Sequence, residues 1–122
     1  MKVSTTINLP TYSCKLIVMV TDSLKSESEK LYKKYKLSVY DDGGECEGIL
    51  ITIDIDLYYL IINNRYLTHN TLAHEIYHAT VKITEQRGII DEEAQAWFNG
   101  HIAEVVYRFL DKKKLEVKHG RK

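Results

Sequence analysis

Residues 48–62, GILITIDIDLYYLII, join two runs of different period. In the first, Ile49, Ile51, Ile53 and Ile55 fall on one side, and Leu50, Thr52, Asp54 and Asp56 on the other. Successive side chains of a strand point to opposite faces. This run therefore reads as a strand with one covered face, suited to the edge of a sheet. The second run, Leu57 to Ile62, is apolar without a break. A strand buried on both faces reads that way. The DID segment closes a hairpin between the two, and the inner strand requires a sheet with helices packed on it.

The rest of the chain supplies those partners. KVSTTINL (2–9) and CKLIVMV (14–20) are rich in β-branched and apolar residues and read as strands, parted by Pro10 and Thr11. The period then changes. Over 21–37, Leu24, Ser28, Leu31, Tyr32 and Tyr35 share one helical face, with Asp22 or Ser23 as cap. DDGGECEG (41–48) is a turn or loop. A helix follows NNRY, capped by Thr68 or Asn70 and broken at Gly88. DEEAQAWFNGHIAEVVYRFLDKKK forms a second long helix, its acidic start matched to the positive helix end. The expected fold is α+β: a small mixed sheet of about four strands packed on helices. Residues 1–112 make one domain, and 113–122 a basic tail that reads as solvated and frayed.

Composition narrows the function. Lys plus Arg and Asp plus Glu both number 17, so the net charge is zero and exerts no general pull toward nucleic acid or acidic membranes. No apolar run reaches membrane-span length, and no basic-then-apolar leader stands at the N-terminus. The chain reads as cytoplasmic. Its two cysteines have no paired spacing; Cys14 reads as a buried small hydrophobe and Cys46 as exposed.

Within TLAHEIYHATVKI (71–83), His74, Glu75 and His78 spell H-E-x-x-H. A helix turns about 100° per residue, so His74 and His78 can aim two imidazoles at one point, with Glu75 turned aside. Zinc accepts imidazole nitrogen at about 2.0–2.1 Å, and a catalytic site uses three protein ligands and leaves one position for water. A third ligand is expected from an element packed on this helix. The next helix begins with Asp91, Glu92 and Glu93. Glu93 shares a stripe with Ala96, Gly100, Ala103 and Tyr107, whose small residues would let two helices approach closely. Glu92 points about 100° away, and Asp91, about 200° from Glu93, suits a cap; both remain alternatives. Tyr107 is a candidate oxyanion donor and His101 a candidate supporting residue, though a core tyrosine and a surface histidine explain them as well. His69 reads as packing near the cap, and His119 as solvated tail.

HEIYH, followed closely by a Glu in an E-x-x-A setting, resembles the gluzincin-type metallopeptidases. The likeness is to their minimal members: the ImmA/IrrE-like and SprT-like zincins and short metallopeptidases common in phage genomes. DEEAQAWFNGHIAEVVYRFL resembles the second helix of those phage proteins, where Glu-x-x-Ala precedes an aromatic and then a Gly. In that register the ligand Glu falls on Glu93, followed by Ala96, Trp97 and Gly100. A rival register from Asp91 to Ala94 puts Asp in the Glu position. The likeness covers residues 68 to 110; the N-terminal half matches only in strand and helix order.

The resemblance implies a minimal zincin-like fold with one Zn²⁺ held by His74, His78 and Glu93. It implies peptide-bond hydrolysis by metal-activated water with Glu75 as general base. An extended peptide or protein substrate would align on the edge strand, residues 49–54, in the host cytoplasm if the chain is phage-encoded. One position departs: many gluzincins carry Asp four residues after the third ligand, and here Trp97 stands there. The rival expectation is a zinc-binding structural or regulatory protein without turnover. A nucleic-acid-linked role has only the basic tail in its favour.

Overall fold

The computed structural model describes residues 1–37 and 46–120. Its strands are β1 (Lys2–Leu9), β2 (Cys14–Thr21), β3 (Gly48–Asp54) and β4 (Leu57–Asn63). Its α-helices are α1 (Leu24–Lys34), α2 (His69–Glu85) and α3 (Glu92–Lys112). This is the α+β arrangement expected from the period changes. Of the loop expected over 41–48, residues 41–45 lie outside the described residues, as does the end of the tail at 121–122.

The sheet order is β1-β2-β4-β3. β2 and β4 run parallel, with Leu16 beside Tyr58, while β1 pairs with β2 and β3 with β4 antiparallel. The continuous apolar run thus becomes an inner strand, with Tyr58 through Ile62 all buried. The alternating run becomes the edge. On one sheet face Ile51, flanked by the half-buried Ile49 and Ile53, packs with Leu24, Leu31, Tyr59 and Ile61 under α1. On the other, Leu16, Val18, Leu60 and Ile62 pack against Leu72, Ile76 and Ile83 of α2 and Phe98, Ile102 and Val106 of α3. The alternation in β3 is the signature of this division: Ile49, Ile51 and Ile53 toward α1, Leu50 toward the α2 side. Ile55, expected on the covered face, lies past a register shift and the end of β3 and is exposed.

Local chemistry fixes α2. Thr68 is its N-cap, its Oγ1 accepting from the Thr71 N–H at 3.0 Å. The chain reverses after it at Gly88, whose φ of 69° is a left-handed conformation that glycine adopts without a Cβ clash. Asp91 caps α3, its Oδ1 accepting from the N–H groups of Glu93 and Ala94. Arg87, in the reversal, donates to the carbonyls of Tyr12, Ile83 and Ile55 and to the Tyr58 hydroxyl, tying two strand turns to the end of α2.

The two long helices pack antiparallel through polar pairs. Thr80 Oγ1 donates to Asn99 Oδ1 (2.8 Å), and Gln95 Nε2 donates to Thr84 Oγ1 (3.3 Å). The first half of the expected Ala/Gly stripe is not the contact, although Ala103 and Tyr107 farther along it pack on the core. Glu93, Ala96 and Gly100 are exposed, and a Cβ built on Gly100 meets nothing within 4 Å. The reason is the apolar face: burying Phe98, Ile102, Val106 and Phe109 turns Ala96 and Gly100 to solvent.

The segment after α3 is docked rather than frayed. Leu115 and Val117 pack against the main core, and Lys118 forms a parallel bridge with Thr68. Among the described residues no helix is long and apolar enough to cross a membrane.

Candidate metal centre

α2 buries Leu72, Ile76, Ala79 and Ile83 and leaves His74 and His78 exposed on another face. One turn apart, the two imidazoles converge: their Nε2 atoms are 3.0 Å apart and the rings meet edge to face at 4.6 Å. Two nitrogens sharing a tetrahedral zinc are about 3.3 Å apart, so the pair is close to ligating geometry. Glu75 completes the group. Its Oε2 lies 3.8 Å from His74 Nε2, and one ligand atom from each of the three residues lies within 4.8 Å of the others. A His/Glu/His group of this kind could hold a metal ion.

Glu75 is the buried member, at 7% exposure against two exposed histidines. Burial pushes its carboxyl pKa up; His78 and His74 pull it down by less, and Glu47 adds to the rise. A carboxylate so placed is a stronger base than one in water. Its room is made by Gly48 at the start of β3. A Cβ at Gly48 would fall 2.8 Å from Glu75 Cγ, so this backbone passes the carboxylate as only glycine permits.

The cavity beside these groups has a volume of about 520 Å³. Gly48–Leu50 of β3 line it, together with α2 from His74 to Glu85. A second hollow of about 220 Å³ is lined by Cys46, Glu47, Thr71, His74 and Glu75. Glu47 Oε2 accepts from Thr71 Oγ1 at 3.0 Å, which places a second carboxylate one turn before Glu75. The larger hollow near Pro10, Ser13 and Leu57, about 630 Å³, contains none of the motif residues.

The structure does not bring Glu93 into the group. The Thr80–Asn99 and Thr84–Gln95 pairs set Glu93 level with Gln86, eight residues and about 12 Å along the axis from His78. The histidines also point roughly 100–140° around α2 from the line that faces α3. Glu93 sits exposed in the first turn of α3 beside exposed Glu92, and Asp91 is occupied as the cap. Tyr107 bonds His69, not a motif histidine. His101 stacks on Trp97 at 5.5 Å and lines a cavity with Thr6 and Asn8 of β1. Glu47 and Gly48 were the residues missed. In the sequence they belong to the glycine-rich stretch read as a turn or loop, which carries no other signal, and Gly48 in fact opens β3, paired with Ile62 of β4.

Comparison of the chain with protein-family models, with curated proteins and with solved structures found no match.

Proposed function

We propose that this chain is a zinc-dependent peptidase, with His74 and His78 as metal ligands and Glu75 as general base. The observation that carries the reading is the convergence of two exposed imidazoles beside one buried carboxylate, in an open cavity bordered by a sheet edge. The donor set suits a borderline-soft divalent ion such as zinc. Bound there, zinc would supply Lewis-acid activation of water and of the scissile carbonyl. Glu75 takes the proton from the attacking water and passes it to the leaving amine. Its burial serves that step, because desolvation raises its proton affinity. Substrate in extended form would lie along β3, whose outer edge has no strand partner in the described sheet.

For the third protein ligand, the resemblance points to Glu93 and the geometry favours Glu47. Glu47 already lines a hollow with His74 and Glu75, while Glu93 would need the start of α3 to move by two helical turns. Zinc affinity decides: E47A is expected to weaken it about tenfold or more and E93A to leave it unchanged. The opposite pattern returns the role to Glu93.

The reading as a whole is tested with E75Q. This variant is expected to bind zinc as the wild type does and to lose cleavage of an unfolded protein substrate. Cleavage by E75Q at the wild-type rate refutes it. Stoichiometric zinc with no cleavage by the wild type favours instead a structural or regulatory metal protein.

A further inference from the structure

Three aromatic side chains from separate stretches meet beside the start of α2, outside the cavity that holds the H-E-x-x-H motif. His69, the first residue of α2, has its Nδ1 2.8 Å from Tyr107 Oη on α3, with the rings stacked at 5.8 Å. His119, beyond α3, has its ring centre 5.0 Å from that of His69, tilted by 44°. Backbone bonds fix the position of His119. Its neighbour Lys118 donates N–H to the Leu67 carbonyl at 3.0 Å and accepts at its own carbonyl from the His69 N–H at 2.9 Å.

This arrangement has two marks of a metal site. Two imidazoles on one tetrahedral ion, at about 2.0–2.1 Å per nitrogen, have ring centres about 5 Å apart. The His69–His119 spacing matches that figure and is close to the 4.6 Å of the motif pair. Histidines that bind metals also donate their other ring N–H to a fixed acceptor, which sets the tautomer. His69 has such a partner. When its Nδ1–H donates to Tyr107 Oη, Nε2 carries the free lone pair.

We propose that His69 Nε2 and a ring nitrogen of His119 form a second cation site, for a divalent ion of the zinc, copper or nickel kind, with Tyr107 as positioning residue. Water completes the coordination. The ion clasps the segment after α3 to the first turn of the motif helix. The site stands independently of the peptidase reading, since it shares no residue with that centre.

The test uses the untagged full chain carrying H74A and H78A, which silences the motif. Titrated calorimetrically with zinc alone at neutral pH, this variant is expected to bind one equivalent. Adding H119A or H119Q is expected to weaken that binding about tenfold or more, and adding Y107F to weaken it up to about tenfold. Hydrogen exchange at the Lys118 amide should slow when zinc is added, and should not respond once His119 is replaced. Circular dichroism establishes that each variant is folded. No zinc bound by the H74A/H78A chain, or binding indifferent to replacement of His69 and His119, overturns the proposal and leaves the rings as a packing contact only.

Discussion

Substituting Gly48 by alanine tests the contact on which the position of Glu75 depends. The added Cβ would stand 2.8 Å from Glu75 Cγ, 3.2 Å from Glu75 Cδ and 3.1 Å from Ile62 Cδ1. Carbon atoms in ordinary contact are about 3.5–4.0 Å apart, so something must move by roughly 0.7 Å or more. The Gly48 φ lies outside the left-handed region, so the backbone accepts alanine and the effect isolates the contact. Ile62 is fully buried in β4 and cannot easily yield, which leaves Glu75 to swing away from β3. Overpacking of this size costs about 1–3 kcal/mol, to be read from the urea midpoint by circular dichroism. Displacing a reacting group by about 1 Å costs about 10²-fold in rate, so cleavage should fall by about that factor if Glu75 is the base. Zinc affinity should change far less, because the atoms nearest the new methyl belong to Glu75 and Ile62 and not to a histidine. G100A is the control, with the opposite sign. Nothing lies within 4 Å of a Cβ there, and replacing an exposed helical glycine by alanine stabilises by about 0.5–1 kcal/mol. A G48A protein with wild-type midpoint and wild-type rate refutes the reasoning.

Three further outcomes are expected. Burial raises the Glu75 pKa above its ordinary value of 4.5, so stability from its protonated form is complete below that value and lost as pH rises through the folded pKa. Metal-free E75Q should therefore gain on the wild type as pH climbs toward neutrality, and parallel stability–pH profiles would contradict this. T68A removes the cap of α2 and should cost about 1 kcal/mol in urea unfolding, without changing zinc stoichiometry. R87A removes a charged donor from the Tyr12, Ile55 and Ile83 carbonyls and should cost about 1.5–3 kcal/mol; R87K should recover only part, since lysine lacks the planar fork.

Elements governed by local rules were legible in the sequence. The isoleucine alternation of β3, the apolar run of β4, the break at Gly88 and the cap at Asp91 each follow from residues within a turn or two. So does the approach of His74 to His78, because helix geometry alone produces it. What was not legible depends on long-range register. The helix pair is set by Thr80 with Asn99 and Thr84 with Gln95, polar contacts that no periodicity announces. The stripe from Glu93 to Tyr107 has the composition of a helix contact. The larger apolar face beside it wins the sheet, and the start of the stripe, from Glu93 to Gly100, turns outward, while Ala103 and Tyr107 pack on the core. The docked segment at 113–120 reads as a basic tail because its lysines are conspicuous, while Leu115 and Val117 provide the anchorage.

The parallel pairing of β2 with β4 has a kinetic consequence. The hairpins β1–β2 and β3–β4 each close over a short turn, but the seam between them waits on a crossover through α1. Until Leu16 finds Tyr58, the inner edges of both hairpins stand unpaired and apolar. Folding speed and losses to self-association should then both hinge on this one late encounter.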